Sequence, residues 1–337
     1  MKVGFLGLGT VGSGVYKVLE KNADMIRTRE GLDIEVSRVL VRDRNKRRAV
    51  DIDSSLLTTD AHDIINDPGI DIIAEFMGGE EPAFTYLSEA LKKGKTVVTA
   101  NKEVIAKHWD VLEQEAAETG AGLYFEASVA GGIPIIKTIK RSLQANHILK
   151  FMGIINGTTN YILTRMSEEG LDFQTALKEA QRLGYAEPDP TADIEGLDAK
   201  FKLSILSTIC FRDKVPLEHV FCEGITKVTS EDIEYARQLG YGIKLLAIAK
   251  KNGNRIEARV HPTFIPLTHP LCAVRESYNA IFLEGDVVGN LMFYGRGAGD
   301  MPTASAVVSD IITAGQNLDG YHHRTGMDGD DVVFEQN

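Results

Sequence analysis

The chain has 337 residues, of which 43% are hydrophobic and 25% charged, a composition typical of a soluble globular protein with room for two modest domains. Its formal net charge of −11 argues against nucleic acid or an anionic membrane as a partner. Three scattered cysteines, the lack of a signal peptide and the lack of a membrane-spanning apolar stretch predict a soluble, cytoplasmic protein without a disulfide framework or zinc site.

The first predicted elements are a buried strand, a glycine turn and a helix at the N-terminus. The turn reads G-x-G-x-x-G at Gly7, Gly9 and Gly12. Gly7 allows a tight turn, Gly9 lets the backbone approach a pyrophosphate, and Gly12 permits close packing of the helix on the strand. This context predicts a dinucleotide site, with the phosphates at the helix N-terminus beside Thr10 and Val11.

The end of the second predicted strand, residues 34–41, bears on the choice of cofactor. NAD-binding folds usually place an acid there to bind the ribose hydroxyls, but this chain has Arg42 before Asp43 and a basic cluster after them. The sequence therefore favours NADP(H) and leaves NAD(H) open as a cofactor. The alternative, that these are only solvated loop charges, also stays open.

Strands and helices alternate over the next part of the chain. The strands are predicted at residues 70–76, 96–99 and 122–126, and the helices at 81–93 and 103–119. This order predicts an α/β fold with a Rossmann-type doubly wound parallel sheet. Because such a sheet binds its ligand at the carboxyl ends of its strands, Gly78 and Lys102 are predicted to lie at the cofactor cleft.

A second domain with α+β character is predicted from residue 131. Its β-rich runs, interleaved with helices, are at residues 148–155, 255–260 and 280–284. No low-complexity linker separates the two halves, so we expect them to pack closely.

Residues 184–202 are the most informative part of the second half. They crowd carboxylates into a turn and then place Asp198 and Lys202 one helical turn apart, at the start of an apolar helix over residues 197–211. Burial favours a neutral amine and the carboxylate favours a charged one, so two opposed effects set the proton affinity of Lys202. Proton-transfer groups often need such tuning. The alternative is an ordinary ion pair on a solvated face.

The C-terminal part is predicted to contain a helix over residues 303–315 that packs back on the first domain. The last segment, residues 316–337, is polar and acidic and is predicted to be a disordered tail.

Several ordered motifs carry a resemblance to a known family. They are the glycine turn and residues 77–79, 99–102, 126–134, 156–160, 184–202 and 295–299. Together they resemble homoserine dehydrogenase over nearly the whole chain. That family reduces L-aspartate 4-semialdehyde to L-homoserine with NAD(P)H, a step toward threonine and methionine. The resemblance implies a Rossmann domain at residues 1–130, a mixed-sheet substrate and dimerisation domain at 131–302, and a homodimer.

The resemblance also implies roles for single residues. Lys202 is the acid that protonates the developing alkoxide, and Asp198 orients it. Lys102 holds the substrate, neutralises charge near the nicotinamide, or transfers the proton itself. Glu187 binds the substrate amino group. The implied substrate contacts are Glu187, Asp193, Asp198, Tyr185, Gly157 and Thr158. The implied cofactor contacts are Gly7, Gly9, Thr10, Val11, Gly12, Arg42, Gly78, Lys102, Gly184 and Gly299.

A monovalent cation, sodium, is a further implied ligand. In the family it binds one carboxylate and backbone carbonyls, which makes Glu126, Val129, Gly131 and Ile133 the corresponding residues here. A Gly-Gly-Ile-Pro turn needs no ion to form, so a purely structural role stays open. Two departures from the family are an Asp at position 300 and a chain too short for the regulatory ACT domain of many relatives, so threonine feedback through such a domain is not expected.

Two other functions compete with this interpretation. Aspartate-semialdehyde dehydrogenase acts on the same aldehyde but needs a cysteine nucleophile, and no cysteine here lies in an exposed, electropositive turn. A dinucleotide-sensing regulator without catalysis would leave the buried Asp198 and Lys202 without a purpose, because buried charges are costly.

Overall fold

The computed structural model describes residues 1–318, which form two six-stranded sheets. The first sheet is parallel throughout, in the order β3-β2-β1-β4-β5-β6. Its strands are β1 (Lys2–Leu6), β2 (Glu35–Leu40), β3 (Leu57–Thr58), β4 (Ile72–Glu75), β5 (Thr96–Thr99) and β6 (Leu123–Tyr124). The chain winds outward from β1 in both directions, so the predicted Rossmann-type doubly wound sheet is confirmed.

The second sheet is mixed, in the order β12-β11-β7-β9-β10-β8. Its strands are β7 (Ile148–Ile154), β8 (Phe221–Cys222), β9 (Tyr241–Asn252), β10 (Arg255–Pro266), β11 (Tyr278–Gly285) and β12 (Gly289–Arg296). The strand β8 pairs with β10 in parallel, and the other neighbours are antiparallel. The predicted mixed-sheet α+β part of the fold is therefore confirmed as well.

Twelve helices accompany the sheets in residues 1–318. They are α1 (Thr10–Lys21), α2 (Ala23–Glu30), α3 (His62–Ile65), α4 (Ala83–Lys92), α5 (Lys102–Thr119), α6 (Ile135–Lys137), α7 (Gly157–Glu169), α8 (Phe173–Arg182), α9 (Thr191–Ile194), α10 (Leu197–Phe211), α11 (Ser230–Gln238) and α12 (Asp300–Leu318). Within this part of the chain, none is long and apolar enough to cross a membrane.

The helix α10 joins the two halves of the molecule. Its buried side chains Leu203, Ile205 and Leu206 belong to one hydrophobic cluster that also contains Ile105 of α5 and Phe151 of β7. Apolar side chains point in nearly every direction around α10, as expected for a helix enclosed on most sides. These contacts place the middle of α10 between α5 of the first half and β7 of the mixed sheet.

The helix α12 returns to the parallel sheet. Its residues Ala304, Val307 and Ile311 are buried in the same cluster as Phe5 of β1 and Val15 of α1. It begins at Asp300 and runs on to Leu318, so it extends into the segment predicted as a polar tail. The remainder of that prediction, residues 319–337, lies outside the described residues.

The predicted strand at residues 122–126 was wrong at its C-terminal end. β6 contains only Leu123 and Tyr124, and a 3₁₀ turn follows over Glu126–Ser128. The Ser128 hydroxyl donates a 2.6 Å hydrogen bond to the Phe125 carbonyl, and the Ser128 N–H binds the same oxygen. Local side-chain hydrogen bonds of this kind compete with strand pairing.

Candidate active site

The glycine turn between β1 and α1 forms one wall of a cleft at the carboxyl edge of the parallel sheet. Gly7 has a φ of +111°, which favours glycine, and a Cβ on Gly12 would lie 2.6 Å from the Gly7 carbonyl oxygen. A Cβ on Gly9 would meet nothing within 4 Å, because Gly9 faces open space at the N-terminus of α1. The orphan N–H groups of a helix start, beside an uncrowded backbone, suit a pyrophosphate.

The predicted cofactor residues divide into two groups in the structure. Gly7, Gly9, Thr10 and Arg42 line the cleft, together with Asp300 next to Gly299, whereas Val11 packs against the hydrophobic cluster of the parallel sheet. Gly78 follows β4 at the same edge, and its N–H binds the buried Glu75. Gly184 lies two residues after α8, with a φ of +78° and its N–H bonded to the Gln181 carbonyl, and like Gly78 and Lys102 it does not line the cleft.

Basic side chains line the far side of this cleft, which has a volume of about 740 Å³. The Arg48 guanidinium donates to the main-chain carbonyls of Arg44 and Lys46, so it is already hydrogen-bonded within its own loop. Arg42 and Arg47 have no protein hydrogen-bond partner within residues 1–318. Two uncommitted guanidinium groups across the cleft from the start of α1 suit a further phosphate group of the cofactor.

A buried carboxylate organises the strand ends at this edge. Glu75 is fully buried and accepts 2.6 Å hydrogen bonds from the Met77 N–H and from the Thr99 hydroxyl. Burial raises its pKa, and these hydrogen bonds only partly oppose that effect. The Asn101 side chain caps α5 and donates to the Gly79 carbonyl at 2.7 Å. The network fixes both the loop after β4 and the start of α5.

Two lysines from different helices contact one carboxylate. Lys202 Nζ lies 2.6 Å from Asp198 Oδ2 and donates a 3.0 Å hydrogen bond to the Ile155 carbonyl. Lys102, the first residue of α5, forms an ion pair with Asp198 Oδ1. The side chain of Asp198 is 5% exposed, that of Lys202 12% and that of Lys102 41%. We call Lys102, Asp198 and Lys202 the Lys–Asp–Lys cluster.

The environments of the two lysines shift their pKa values in opposite directions. Burial lowers the pKa of Lys202; Asp198 partly offsets this, and the Lys102 charge adds to it. Burial also disfavours the charge on Lys102, but the combined attraction of Asp198, Asp193 and Glu187 outweighs it and raises that pKa. Burial alone would raise the pKa of Asp198, but the two ammonium groups hold it well below its usual range. The cluster thus pairs a persistent cation with a lysine that releases its proton more readily.

Asn156 links the Lys–Asp–Lys cluster to the acidic turn. Its amide nitrogen donates to Asp198 Oδ2 at 2.9 Å and to Asp193 Oδ1 at 2.7 Å. The Thr158 hydroxyl lies 2.9 Å from Asp193 Oδ2 and 2.7 Å from the Tyr185 carbonyl. Four of the predicted site residues in this region therefore share one hydrogen-bond network with Asn156.

The remaining predicted substrate residues surround this network. Gly157 is the first residue of α7 and packs so closely that a Cβ would lie 2.7 Å from the Ser277 carbonyl. The ring of Tyr185 is 4.9 Å from that of Tyr161. Glu187 is exposed, and its charge contributes to the raised pKa of Lys102. The structure therefore brings Lys102, Asp198, Lys202 and the acidic turn to one place at the carboxyl edge of the parallel sheet.

Comparison with known proteins shows the family to which this chain belongs. A family model described as "Homoserine dehydrogenase" matches residues 134–312, and one described as "Homoserine dehydrogenase, NAD binding domain" matches residues 7–126. The homoserine dehydrogenase of Bacillus subtilis is 47% identical over 336 residues, which cover all of this chain and 76% of the relative. The chain belongs to the homoserine dehydrogenase family.

Solved structures of homoserine dehydrogenases have the same fold. The enzyme from Thiobacillus denitrificans superposes with a TM-score of 0.91 at 48% identity, covering 97% of this chain and 76% of that one. A hyperthermophilic archaeal homoserine dehydrogenase in complex with NADPH has a TM-score of 0.79 at 27% identity, covering 96% and 99% of the two chains. This chain is accordingly an oxidoreductase with a nicotinamide dinucleotide cofactor.

Cys210 and Cys222, two of the three cysteines, are unsuited to be the nucleophile that aspartate-semialdehyde dehydrogenase needs. Cys210 is buried within α10, and burial raises the pKa of its thiol, which disfavours the thiolate. Cys222 is half-buried and its pKa is also raised by burial. Both the family and the chemistry of the site therefore favour homoserine dehydrogenase over this alternative.

The segment that the resemblance assigns to a cation lies where the chain leaves the parallel sheet. Glu126 is 2% exposed, and its two carboxylate oxygens accept the N–H groups of Ile136 and Lys137 at 2.8 and 2.6 Å. Burial raises its pKa to about 7, and the nearby carboxylate of Asp310 contributes to that shift. Gly131 lies against the main-chain carbonyl of Gly297, the residue that follows β12.

Two site residues were missed by sequence reasoning. Glu75 was treated only as part of a strand, although an acid in an otherwise apolar strand was a usable signal. Asn156 was noted in a motif but given no role. An Asn immediately before a helix start indicates an N-cap, which the side-chain oxygen of Asn156 provides. The hydrogen bonds from its amide nitrogen to Asp193 and Asp198 depend on the tertiary fold and could not be predicted in this way.

Proposed function

We propose that Lys202 is the proton-transfer residue in the reversible reduction of L-aspartate 4-semialdehyde to L-homoserine, and that this reaction serves threonine and methionine biosynthesis. The observation that carries the proposal is the Lys–Asp–Lys cluster: Lys202 is the more buried lysine, its pKa is lowered, and Asp198 fixes its position. Lys102 is the more exposed lysine, with a raised pKa, which suits a fixed charge better than proton transfer.

Each residue of the cluster then has a defined task. A bound NAD(P)H supplies the hydride that reduces the aldehyde carbon. Lys202 gives a proton to the resulting alkoxide oxygen, so that one N–H bond breaks and one O–H bond forms. The Lys102 ammonium stabilises the developing negative charge and, by repulsion, helps Lys202 to release its proton. In the oxidation direction, neutral Lys202 accepts the hydroxyl proton of homoserine.

The acidic turn and the start of α7 suit the two charges of the substrate. Glu187 and Asp193 offer carboxylates for the substrate ammonium, and Tyr185 packs beside them. The substrate carboxylate would lie at the N-terminus of α7, where Gly157 and Thr158 present main-chain N–H groups and the helix dipole favours an anion.

Steady-state kinetics with both cofactors test this function. We expect saturable oxidation of NADPH in the presence of L-aspartate 4-semialdehyde, and NADPH formation from L-homoserine and NADP⁺. Absence of turnover with NADPH and with NADH, despite tight binding of either, would contradict the proposal and favour a dinucleotide-sensing regulator.

We propose that the enzyme prefers NADP(H) to NAD(H) because Arg42 and Arg47 bind the 2′-phosphate of the cofactor. Replacing both with serine is expected to raise the KM for NADPH by about 10–100-fold, because charge-assisted hydrogen bonds to the 2′-phosphate are lost. The KM for NADH should change little. Gly7, Gly9, Thr10, Gly12, Gly78 and Gly299 would hold the rest of the dinucleotide.

The matched control for that variant is Arg29→Ser, an exposed arginine on α2 that does not line the cleft. It should leave both KM values unchanged. Equal increases in the KM for NADPH and for NADH in the double variant would mean that the arginines do not distinguish the two cofactors.

A monovalent cation is proposed to bind Glu126 and the carbonyls of Val129, Gly131 and Ile133. Support comes from charge: Glu126 and Asp310 are both buried, and Lys137, 3.1 Å from Asp310, neutralises only one of them. A site of one carboxylate and three main-chain carbonyls has only oxygen ligands, which suit a hard cation such as sodium. Sodium chloride should raise the melting temperature above that in choline chloride at equal ionic strength. Equal values would contradict the site.

A homodimer is proposed to form through the open face of the mixed sheet. Met292, Phe282, Met152 and Ile248 are direct cross-strand neighbours and therefore share this face, where all four retain exposed surface. A continuous apolar row of this kind indicates an interaction surface. Sedimentation equilibrium that gave the mass of one chain, 36.9 kDa, would contradict the dimer.

A further inference from the structure

A second cavity lies farther along the two helices that carry the catalytic lysines. It has a volume of about 400 Å³ and is enclosed by α5, α10, the segment at residues 139–148 and the loop at residues 212–216. It shares no lining residue with the cofactor cleft or with the Lys–Asp–Lys cluster. The proposed reaction gives this cavity no task.

The floor of the cavity is aliphatic and its rim carries charges of both signs. Ile105, Ile205 and Ile209 are buried side chains of the floor. Trp109 forms one side, and Lys140 Nζ lies 5.7 Å from the centre of its ring. The cavity is large enough for a ligand of about ten non-hydrogen atoms.

Part of the rim charge is neutralised within the protein. Lys214 pairs with Asp110 at 2.6 Å, and Asp213 pairs with Lys251 outside the cavity. Within residues 1–318, Lys140, Arg212 and Glu113 line the cavity without an ion-pair partner. The rim therefore offers two cations and one anion above an apolar floor.

We propose that this cavity binds a small zwitterion with an apolar side chain, that is, an α-amino acid of the aliphatic or aromatic type. The side chain would lie on the isoleucine floor. Lys140 and Arg212 would attract the carboxylate, and Glu113 the ammonium. Lys140, Arg212 and Glu113 are exposed, so they need no ligand to be solvated, but an uncharged apolar molecule would use none of them and a simple anion would not use Glu113.

Occupancy of this cavity would act on turnover through the two helices. Trp109 is seven residues from Lys102 on α5, and Ile209 is seven residues from Lys202 on α10, so each is about 10 Å along its helix from a catalytic lysine. A ligand wedged between α5 and α10 would change their separation. The ion pair between Lys102 of α5 and Asp198 of α10 joins the same two helices, so a change in their separation would act on it.

Intrinsic fluorescence gives a direct binding assay, because Trp109 is the only tryptophan in the sequence. L-leucine and L-phenylalanine should change its emission saturably, with a Kd on the order of 1 mM or below. Three probes test the chemistry: 4-methylpentanoate lacks the ammonium, isopentylamine lacks the carboxylate, and glycine lacks the apolar side chain. Each should bind at least tenfold more weakly than L-leucine.

Variants and kinetics complete the experiment. Lys140→Met should weaken L-leucine binding by about 10-fold or more. The control Lys178→Met, at an exposed position on α8, should leave binding unchanged.

Saturating L-leucine should change the initial rate of NADPH oxidation. No fluorescence change with either amino acid, or equal binding of the three probes, would overturn the site. An unchanged rate at saturation would overturn the coupling. The fluorescence result does not depend on the proposed reaction, so the two can fail separately.

Discussion

Replacing Lys202 with methionine is expected to lower kcat for aldehyde reduction by a factor of about 10²–10⁴, the contribution typical of a positioned proton donor. Methionine keeps the length and apolar stem of the side chain but has no proton to give. Lys202 does not line the cofactor cleft, so the Kd for NADPH should stay within about twofold of the wild type, a difference of roughly 0.4 kcal/mol. Stopped-flow hydride transfer and NADPH fluorescence titration measure the two quantities separately.

Lys200→Met is the matched control for this variant. Lys200 is on the same helix, two residues away, and does not contact Asp198. Its substitution should leave kcat nearly unchanged. If Lys202→Met retained near-wild-type turnover while Lys102→Met lost it, proton transfer would belong to Lys102.

The pH dependence gives a second distinction between the lysines. Reduction requires protonated Lys202, so kcat for reduction should fall as pH rises through the pKa of this residue, which burial places below the ordinary lysine value. Repulsion from Lys102 contributes to that lowering. Lys102→Met should therefore move the alkaline limb of kcat to higher pH. An unmoved limb would show that the two charges are not coupled in the active enzyme.

The parts of the site that the sequence predicted are those set by local geometry. The contact of Asp198 with Lys202 follows from the i, i+4 spacing, since any helix at that position brings the two side chains together. The glycine turn was predictable for a similar reason, because its three glycines act within one β–α unit. Fold class followed from the alternation of strands and helices.

The parts that the sequence did not predict depend on long-range packing. Lys102 and Asp198 are 96 positions apart, and their ion pair exists because α5 and α10 both begin near the carboxyl edge of the parallel sheet. No local pattern encodes that meeting. The bond of Asn156 to Asp198 has the same origin. The extent of β6 was missed because the hydroxyl of Ser128 replaces a sheet contact.

Replacing Asp198 with asparagine is expected to lower kcat by on the order of 10² and also to destabilise the fold. The amide keeps the shape of the side chain but removes the only carboxylate that contacts both lysines in residues 1–318. The free energy of unfolding should fall by about 3 kcal/mol, the lower end of the range for breaking a buried ion pair, because Lys102 remains 41% exposed.

The sign of the pH effects separates electrostatics from simple loss of packing. The folded-state pKa of Asp198 is depressed, so its stabilisation is present above the unfolded pKa of about 3.8 and is lost as pH falls toward the folded value. The asparagine variant should therefore lose less stability than the wild type on acidification below pH 4.

Without the carboxylate, Lys202 should also lose its proton at lower pH, which moves the alkaline limb of kcat for reduction to lower pH. Glu195→Gln removes an exposed charge from the same turn and should change neither curve. If the variant and the wild type had parallel acid-stability curves, Asp198 would not be the carboxylate whose ionisation the two lysines stabilise.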